Sequence, residues 1–218
     1  TIYGGTYAFL KNFLPDFGVS IDFVDITNLD KIQSLIQPNT KVIYLETVSN
    51  PLLEVADITS IVQLAKPQQI KVVVDNTFSP LSVTPANLGA DVVIHSLTKY
   101  INGSSDTVGG VICGSTEFIN DLKNVNKGVC MIFGSTMDSM RSASILKNMR
   151  TLHLRMKQHS SNALYLANAF SKMGIKTVYP GLESHPSHEV FKSMYNSEYG
   201  FGGMLTIAVG SLEKANAV

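Results

Sequence analysis

The amino-acid sequence predicts an α/β fold, with a mostly parallel sheet and flanking helices, followed by the start of a smaller α+β C-terminal domain. Three apolar runs rich in β-branched residues, at 41–46, 71–75 and 91–95, are continuous rather than alternating. Continuous runs are typical of parallel strands buried on both faces. A helical pattern separates the first two runs, and alternation of strand and helix is typical of a parallel sheet covered by helices.

Two further elements of the first domain follow from local signals. Residues 56–66 have an amphipathic pattern with Asp57 near the first turn, which predicts a helix between the first two strands. Residues 108–113 carry a pair of glycines within an apolar run. Glycines allow close approach of a neighbouring backbone, so this run is predicted to be a further strand beside the other three.

The second half of the sequence is predicted to be helical before a second domain begins. From 115 to 172, apolar residues recur at three- and four-residue spacing, which predicts helices, including a long one that links two domains. The Pro-Gly pair at 180–181 is predicted to end that helix, and residues 202–209 to form the first strand of the second domain. We therefore expect a large domain over 1–150, with the linking helix and the start of a C-terminal domain over 151–218.

Length and charge exclude several classes of protein. The 218 residues are 44% hydrophobic and 16% charged, which is enough to bury a substantial core. The 17 basic and 17 acidic side chains balance, so no surplus charge attracts nucleic acid or an anionic membrane. No apolar run approaches the roughly 20 residues that span a bilayer, and we expect a soluble, cytoplasmic protein. The first residue is Thr1 rather than Met, and we expect a piece of a longer protein.

Polar clusters follow the first three predicted strands, at 46–51, 75–77 and 96–100. Ligands of open parallel sheets bind beyond the carboxyl ends of the strands, so these clusters are expected to converge on one crevice. An acid, a lysine and hydroxyls there suit a phosphorylated aromatic aldehyde cofactor. The alternative is an acid that caps a turn and a solvated surface lysine. The sequence contains no GxGxxG or GxxxxGK[ST] run, so a dinucleotide or P-loop site has less support.

Several segments of the sequence carry a resemblance to a known family. They are YGGT at 3–6, Phe17-Gly18, FVD at 23–25, Glu46 with Asn50-Pro51, VVVDNTF at 72–78, GADVVIHSLTKY at 89–100 and YPGLESHPSHE at 179–189. In this order they resemble the Cys/Met-metabolism family of pyridoxal-phosphate enzymes. The runs VVVDNTFSP at 72–80, SLTKYINGSSDTVGG at 96–110 and YGFGGML at 199–205 resemble most its methionine γ-lyase branch. The resemblance implies a large domain like that of fold type I pyridoxal-phosphate-dependent transferases.

The resemblance implies catalytic roles for three residues. Lys99 is expected to form the Schiff base with pyridoxal 5′-phosphate and to carry protons during the reaction. Asp75 is expected to pair with the pyridine nitrogen of the cofactor. Tyr3 is expected to stack on the cofactor ring and to act as the acid for the leaving group. Without the family motif, Tyr3 would be interpreted as an ordinary core or surface tyrosine.

The resemblance also implies three further cofactor contacts. Asn50 is expected to face the phenolic oxygen, and Ser96 and Thr98 to hydrogen-bond the phosphate. Gly5 stands where some members of the family have a cysteine, which implies a more open pocket wall beside Tyr3.

Three histidines are expected to have structural roles. His185 and His188 have a spacing that metal ligands can use, but a proline separates them and no third ligand is evident, so no metal site is predicted. His95 directly follows a buried strand and is expected to be packed and hydrogen-bonded.

The resemblance implies γ-elimination of L-methionine to methanethiol, ammonia and 2-oxobutanoate. Alternatives within the family are a cystathionine γ-lyase and an O-acetylhomoserine sulfhydrylase. The alternative from another class is a non-catalytic α/β binding or assembly subunit. Members of the family complete each site with residues from a neighbouring subunit, so a homotetramer built from dimers is expected, with a small sulfur amino acid as substrate and no nucleic-acid or membrane partner.

Overall fold

A computed structural model describes residues 2–217 and contains a four-stranded sheet. The strands are β1 Val42–Glu46, β2 Lys71–Asp75, β3 Val92–Ser96 and β4 Gly110–Gly114, in that spatial order. The first three strands are parallel, and β4 runs antiparallel to β3. The predicted mostly parallel sheet is confirmed. Thr1 and Val218, the outer limits of the two predicted domains, lie outside the described residues.

Helices and shorter helical turns surround the sheet. The α-helices are α1 Gly4–Ala8, α2 Leu29–Leu35, α3 Ile58–Ala65, α4 Thr116–Leu122, α5 Val129–Ile132, α6 Ser139–Met149, α7 Leu152–Lys172, α8 His188–Met194 and α9 Leu212–Asn216. The π-helical turns are Phe9–Phe13 and Leu97–Ile101, and the 3₁₀ turns are Leu14–Phe17, Lys66–Gln68 and Pro85–Leu88.

The main hydrophobic core lies between the sheet and α3, the crossover helix that joins β1 to β2. Val72 and Val74 of β2 are fully buried together with Ile58 and Ile61 of α3. Asp57 caps α3, since its carboxylate accepts a hydrogen bond of 2.9 Å from the backbone N–H three residues later. The predicted helix at 56–66 is confirmed.

The second face of the sheet is only partly covered by residues 2–217. Tyr44, Val73 and Ile94 share this face, and all three are partly exposed. The predicted burial on both faces therefore holds for one face of the described sheet. The partly open face ends at the carboxyl edge, where the polar clusters lie.

The helical stretch predicted at 115–172 consists of the four helices α4 to α7. The last of them, α7, has 21 residues, which confirms the predicted long helix. It ends at Lys172, and Gly174 follows with a φ of 76°, a left-handed conformation common just after helices. The prediction that Pro180 and Gly181 end this helix is therefore wrong, because the chain has already turned at Gly174.

The C-terminal part begins a second, two-stranded sheet. Its antiparallel strands are β5 Lys176–Val178 and β6 Thr206–Ala208. The strand predicted at 202–209 is confirmed, although it is shorter and is the second strand of its sheet. Phe191 of α8 belongs to the main core beside α3, so residues on both sides of position 150 contribute to that core. The domain boundary near residue 150 stays a prediction.

Within the described range, no helix has both the length and the apolar character needed to cross a membrane.

Candidate active site

The carboxyl ends of the three parallel strands meet at one edge of the sheet. Glu46 at the end of β1 lies directly beside Asp75 at the end of β2, and Asp75 lies beside Ile94 of β3. The π-helical turn Leu97–Ile101, which carries Lys99, follows β3 at the same edge. The predicted convergence of the strand-end clusters is confirmed.

Three hydrogen bonds fix the orientation of the Asp75 carboxylate. Its Oδ1 accepts from the Thr77 backbone N–H at 2.9 Å and from the Thr77 hydroxyl at 2.5 Å. Its Oδ2 accepts from the Tyr44 hydroxyl at 3.3 Å. The Thr77 hydroxyl oxygen also accepts from the Ser96 backbone N–H at 2.8 Å. One threonine therefore ties the end of β2 to the end of β3 and holds the carboxylate between them.

Tyr44 was not among the predicted site residues, and its role depends on burial. Burial, followed by the negative charge of Asp75, raises the pKa of the Tyr44 hydroxyl above its ordinary value. The hydroxyl therefore stays protonated and remains a donor to Asp75. No sequence signal separates a tyrosine in this position from an ordinary strand tyrosine.

Glu46 is a second residue that the structure adds to the site. Its Oε1 accepts a 2.7 Å hydrogen bond from the Tyr3 backbone N–H, whereas its Oε2 is buried and has no hydrogen-bond partner among residues 2–217. Burial raises the pKa of Glu46; the Tyr3 hydrogen bond opposes this rise, and the charge of Asp75 adds to it. The position of Glu46 at the end of a predicted strand indicates a site residue. Its hydrogen bond with the Tyr3 backbone could not be predicted from the sequence.

Tyr3 lies directly before α1, and its side chain is accessible. The residue is 54% exposed, and Glu46 holds its backbone. A Cβ atom added at Gly5 would lie 2.8 Å from Cε1 of the Tyr3 ring, which is closer than real side chains approach each other. The Tyr3 ring therefore occupies the space that any larger residue at position 5 would need.

Lys99 has an accessible amine in the turn after β3. The residue is exposed, and its Nζ makes no hydrogen bond or ion pair with the described part of the chain. Its backbone, at φ −93° and ψ −124°, is not helical although it lies inside the turn Leu97–Ile101. The amine is therefore accessible to a ligand at the carboxyl edge of the sheet.

The other three predicted cofactor contacts are Ser96, Thr98 and Asn50. They differ in whether their polar groups are hydrogen-bonded to the rest of the chain. The Ser96 hydroxyl makes no hydrogen bond within residues 2–217. The Thr98 hydroxyl, by contrast, accepts from the Gly109 backbone N–H at 3.1 Å and lies 3.3 Å from the Gly109 carbonyl. Asn50 precedes a cis peptide bond to Pro51, and its backbone N–H acts to lower the pKa of Glu46. Asn50 therefore lies near the site.

The three histidines differ in their contacts within the described chain, and their structural roles stay predictions. His188 Nδ1 is 2.8 Å from the Pro180 carbonyl, and the imidazole stacks on Phe201. His185 Nδ1 accepts from the Ser187 backbone N–H at 3.1 Å. His95 is partly buried and has a hydrogen bond with the Asn76 backbone, whereas its buried Nδ1 has no hydrogen-bond partner in the described chain. Its pKa is lowered by burial.

The donor set at this edge fits a phosphorylated aromatic aldehyde that carries a ring nitrogen. A fixed carboxylate at Asp75 suits a protonated ring nitrogen, and an accessible amine at Lys99 suits an aldehyde. The Ser96 hydroxyl supplies a donor for a phosphate oxygen. Within the described chain no group of three or more His, Cys, Asp or Glu side chains is arranged to hold a metal ion.

Comparison with known proteins agrees with this chemistry. The whole chain, residues 1–218, matches the family described as Cys/Met metabolism PLP-dependent enzyme. The chain belongs to this family. Its cofactor, pyridoxal 5′-phosphate, is the one predicted from the sequence.

Three members of the Cys/Met-metabolism family show the range of the similarity. The chain is 42% identical to methionine gamma-lyase of Arabidopsis thaliana, over 99% of this chain and 49% of that protein. It is 40% identical to the probable cystathionine gamma-synthase of Herpetosiphon aurantiacus, over 100% of this chain and 67% of that protein. The crystal structure of cystathionine gamma-lyase from Lactobacillus plantarum complexed with L-serine superposes with a TM-score of 0.87 at 34% identity, over 94% of this chain and 53% of that one.

The chain spans about half the length of the Arabidopsis member of the family. Membership confirms the predicted fold class and cofactor. The individual roles of Lys99, Asp75 and Tyr3 stay predictions, and so do the roles of Ser96, Thr98 and Asn50.

Proposed function

We propose that the full-length protein cleaves L-methionine by γ-elimination to methanethiol, ammonia and 2-oxobutanoate. The observation that carries the proposal is the Asp75 carboxylate, fixed by Thr77 and Tyr44 at the sheet edge from which the Lys99 turn begins. A pyridoxal-phosphate enzyme that removes a proton from an amino-acid carbon uses a residue such as this acid beside the ring nitrogen, so that the ring can accept electrons. The similarity to the Arabidopsis methionine gamma-lyase supports the choice of substrate.

Each residue of the site has a part in this reaction. Pyridoxal 5′-phosphate, when bound, supplies an aldehyde that bonds to amines and a ring that accepts electrons. Lys99 would hold the cofactor through its amine until the substrate amine replaces it. The freed amine would then take the Cα proton, pass it toward C4′ of the cofactor and take a proton from Cβ, steps for which a positioned base typically contributes 10²- to 10⁴-fold. Asp75 pairs with the ring nitrogen, Ser96 and Thr98 bind the phosphate, and Asn50 faces the phenolic oxygen.

Tyr3→Phe is expected to slow release of methanethiol by about 10²- to 10⁴-fold, the usual contribution of a general acid. The substitution keeps the ring and the backbone N–H that Glu46 binds, and removes only the hydroxyl that protonates the leaving sulfur. Exchange of the substrate Cα proton with D₂O is expected to change little. Both rates are measured on the same preparation, by thiol release and by NMR.

Tyr7→Phe is the matched control for this prediction, because the Tyr7 hydroxyl only accepts a 2.7 Å hydrogen bond from Lys11. It is expected to leave both rates unchanged. An equal decrease of the two rates in Tyr3→Phe would mean that Tyr3 serves only as a platform for the cofactor ring.

A cystathionine-cleaving or sulfhydrylase reaction is the second candidate, favoured by the similarity to the Herpetosiphon and Lactobacillus proteins. The test is kcat/KM of the full-length enzyme for L-methionine, for L-cystathionine and for O-acetyl-L-homoserine with sulfide. We expect methionine to be cleaved together with homocysteine, because a hydrophobic pocket distinguishes one methylene by only about 1 to 3 kcal/mol. A preference for cystathionine above about a hundredfold, well beyond that range, contradicts the methionine proposal.

Gly5→Cys tests whether the absence of a side chain at position 5 contributes to the expected cleavage of more than one substrate. A side chain at position 5 collides with the Tyr3 ring, so the substitution is expected to move the ring and to change the three ratios. Unchanged ratios would remove Gly5 from the explanation of substrate choice.

We also propose a homotetramer built from dimers, as the family resemblance implies, and a cytoplasmic location, as expected from the sequence pattern. Light scattering of the full-length protein decides the first point, since an active monomer would contradict it. Cell fractionation decides the second.

A further inference from the structure

Arg155, in the first turn of α7, directs its guanidinium at the backbone beside Lys99. Its Nη1 donates to the Tyr100 carbonyl, and its Nη2 donates to the Ile101 carbonyl at 2.9 Å. Its Nε donates to the Thr151 hydroxyl at 3.1 Å. The two carbonyls belong to the residues that directly follow Lys99, so one side chain binds the end of the turn that carries the amine.

This arginine binds no acid within residues 2–217. None of the ion pairs formed there includes Arg155. Burial alone lowers its pKa. A guanidinium has five N–H donors in a rigid fork and can serve two carbonyls at once. Cations also stabilise the carbonyl end of a helical turn. Arg155 also donates to the Asn148 carbonyl at 3.4 Å, and its shortest hydrogen bonds go to the carbonyls of the Lys99 turn, with no competing carboxylate within residues 2–217.

Gly103 makes this close approach sterically allowed. A Cβ atom added at Gly103 would overlap Nη1 of Arg155, so a side chain at this position would displace the guanidinium. Gly103 has a φ of 72°, and its N–H donates to the Lys99 carbonyl at 2.9 Å. The carbonyls of Lys99, Tyr100 and Ile101 are thus all occupied by hydrogen bonds.

Side chains of α7 also pack against the turn that carries Lys99. Ile101 packs in a buried cluster with Met156. The Tyr100 ring meets His159 edge to face, with ring centroids 5.3 Å apart. The first eight residues of α7 therefore hold both residues that follow Lys99, by polar contacts at the backbone and by packing at the side chains.

We propose that Arg155 is a positioning residue that fixes the backbone of Lys99 so that its amine faces the ligand. This inference rests on the proposed function, because it assumes that Lys99 bonds to the cofactor. It assigns to α7, the helix predicted to link the two domains, a direct part in placing the reactive amine.

The test uses Arg155→Met in the full-length protein, which keeps a long apolar stem and removes every donor. In the cofactor-free protein, hydrogen–deuterium exchange of the Asn102 and Gly103 amides, which close the turn, is expected to become about tenfold faster, with β2 amides unchanged. After addition of pyridoxal 5′-phosphate, the rate of borohydride-trapped attachment to Lys99 is expected to decrease about tenfold, the factor for one lost charge-assisted hydrogen bond.

Arg141→Met is the matched control, because Arg141 is an exposed residue of α6 that donates to Asp138 alone. The rates of amide exchange and of cofactor attachment in Arg141→Met are expected to equal those of the parent. Arg155→Lys retains a cation with a single nitrogen, and its rates of amide exchange and of cofactor attachment are expected to lie between those of the parent and of Arg155→Met. This variant replaces Arg155→Met in the test if Arg155→Met does not fold.

Two results would overturn the inference. Equal acceleration of amide exchange throughout the chain in Arg155→Met would show that Arg155 stabilises the whole fold rather than the turn. An unchanged rate of cofactor attachment would show that Arg155 does not position the Lys99 amine. If the parent protein attaches no cofactor, the proposed function fails, whereas the local exchange rates still show whether Arg155 holds the turn.

Discussion

Lys99→Ala is expected to abolish covalent retention of pyridoxal 5′-phosphate and to lower turnover by at least about 10²- to 10⁴-fold, since the substitution removes both the bonding amine and the proton-transferring base. The full-length parent is expected to be yellow, and borohydride is expected to fix the cofactor to a peptide that contains Lys99. The variant is expected to lose all colour on dialysis. Absorbance spectra and peptide mass spectrometry measure these outcomes.

Lys147→Ala is the control for this experiment, because Lys147 is also an exposed lysine but lies on α6 rather than in the turn that follows β3. It is expected to retain colour, labelling and activity. A parent protein that is colourless and is not modified by borohydride would contradict the enzyme proposal. That result would favour the alternative of a non-catalytic binding or assembly subunit.

Asp75→Asn is expected to retain the cofactor but to lower kcat by about 10²-fold or more, the cost typical of removing one preorganised electrostatic partner. Asparagine keeps an oxygen that can accept the two hydrogen bonds from Thr77, so the fold at the strand end is preserved. The variant loses the negative charge that holds a protonated ring nitrogen. Steady-state kinetics and exchange of the substrate Cα proton measure the effect, and both are expected to decrease.

Asp57→Asn is the matched control, since asparagine caps a helix as well as aspartate does and, among the described residues, the Asp57 carboxylate binds only Ser60 in the first turn of α3. It removes one negative charge and is expected to leave kcat unchanged. Equal activity of Asp75→Asn and the parent would refute the assignment of Asp75 to the ring nitrogen.

The sheet and its strand-end residues could be predicted from the sequence because they depend on local patterns. Continuous Val and Ile runs fix the parallel strands, and a parallel arrangement places every carboxyl end at one edge. The same reasoning correctly places Asp75 and the Lys99 turn at that edge. It also indicates the cluster that begins at Glu46, without giving that carboxylate a role.

The contacts of Glu46 and Arg155 could not be predicted, because both side chains bind backbone groups that are distant in sequence. Glu46 binds the N–H of Tyr3, 43 positions away, and Arg155 binds carbonyls 54 and 55 positions away. Backbone groups are the same at every residue, so no side-chain pattern marks these pairs. The Thr98 hydroxyl likewise has a backbone partner that the motif did not indicate, Gly109, and its contact with the phosphate stays a prediction.

The Thr77 hydroxyl gives the hydrogen-bond chain at the strand ends a fixed direction. A backbone N–H can only donate, so the bond from Ser96 requires the Thr77 oxygen to accept. The Thr77 hydroxyl in turn donates to Oδ1 of Asp75, and the Thr77 backbone N–H donates to the same oxygen. The second of these bonds has a fixed direction, because a backbone N–H cannot accept. The acceptor role of this carboxylate oxygen is thus set in part by the covalent structure of the chain two residues away.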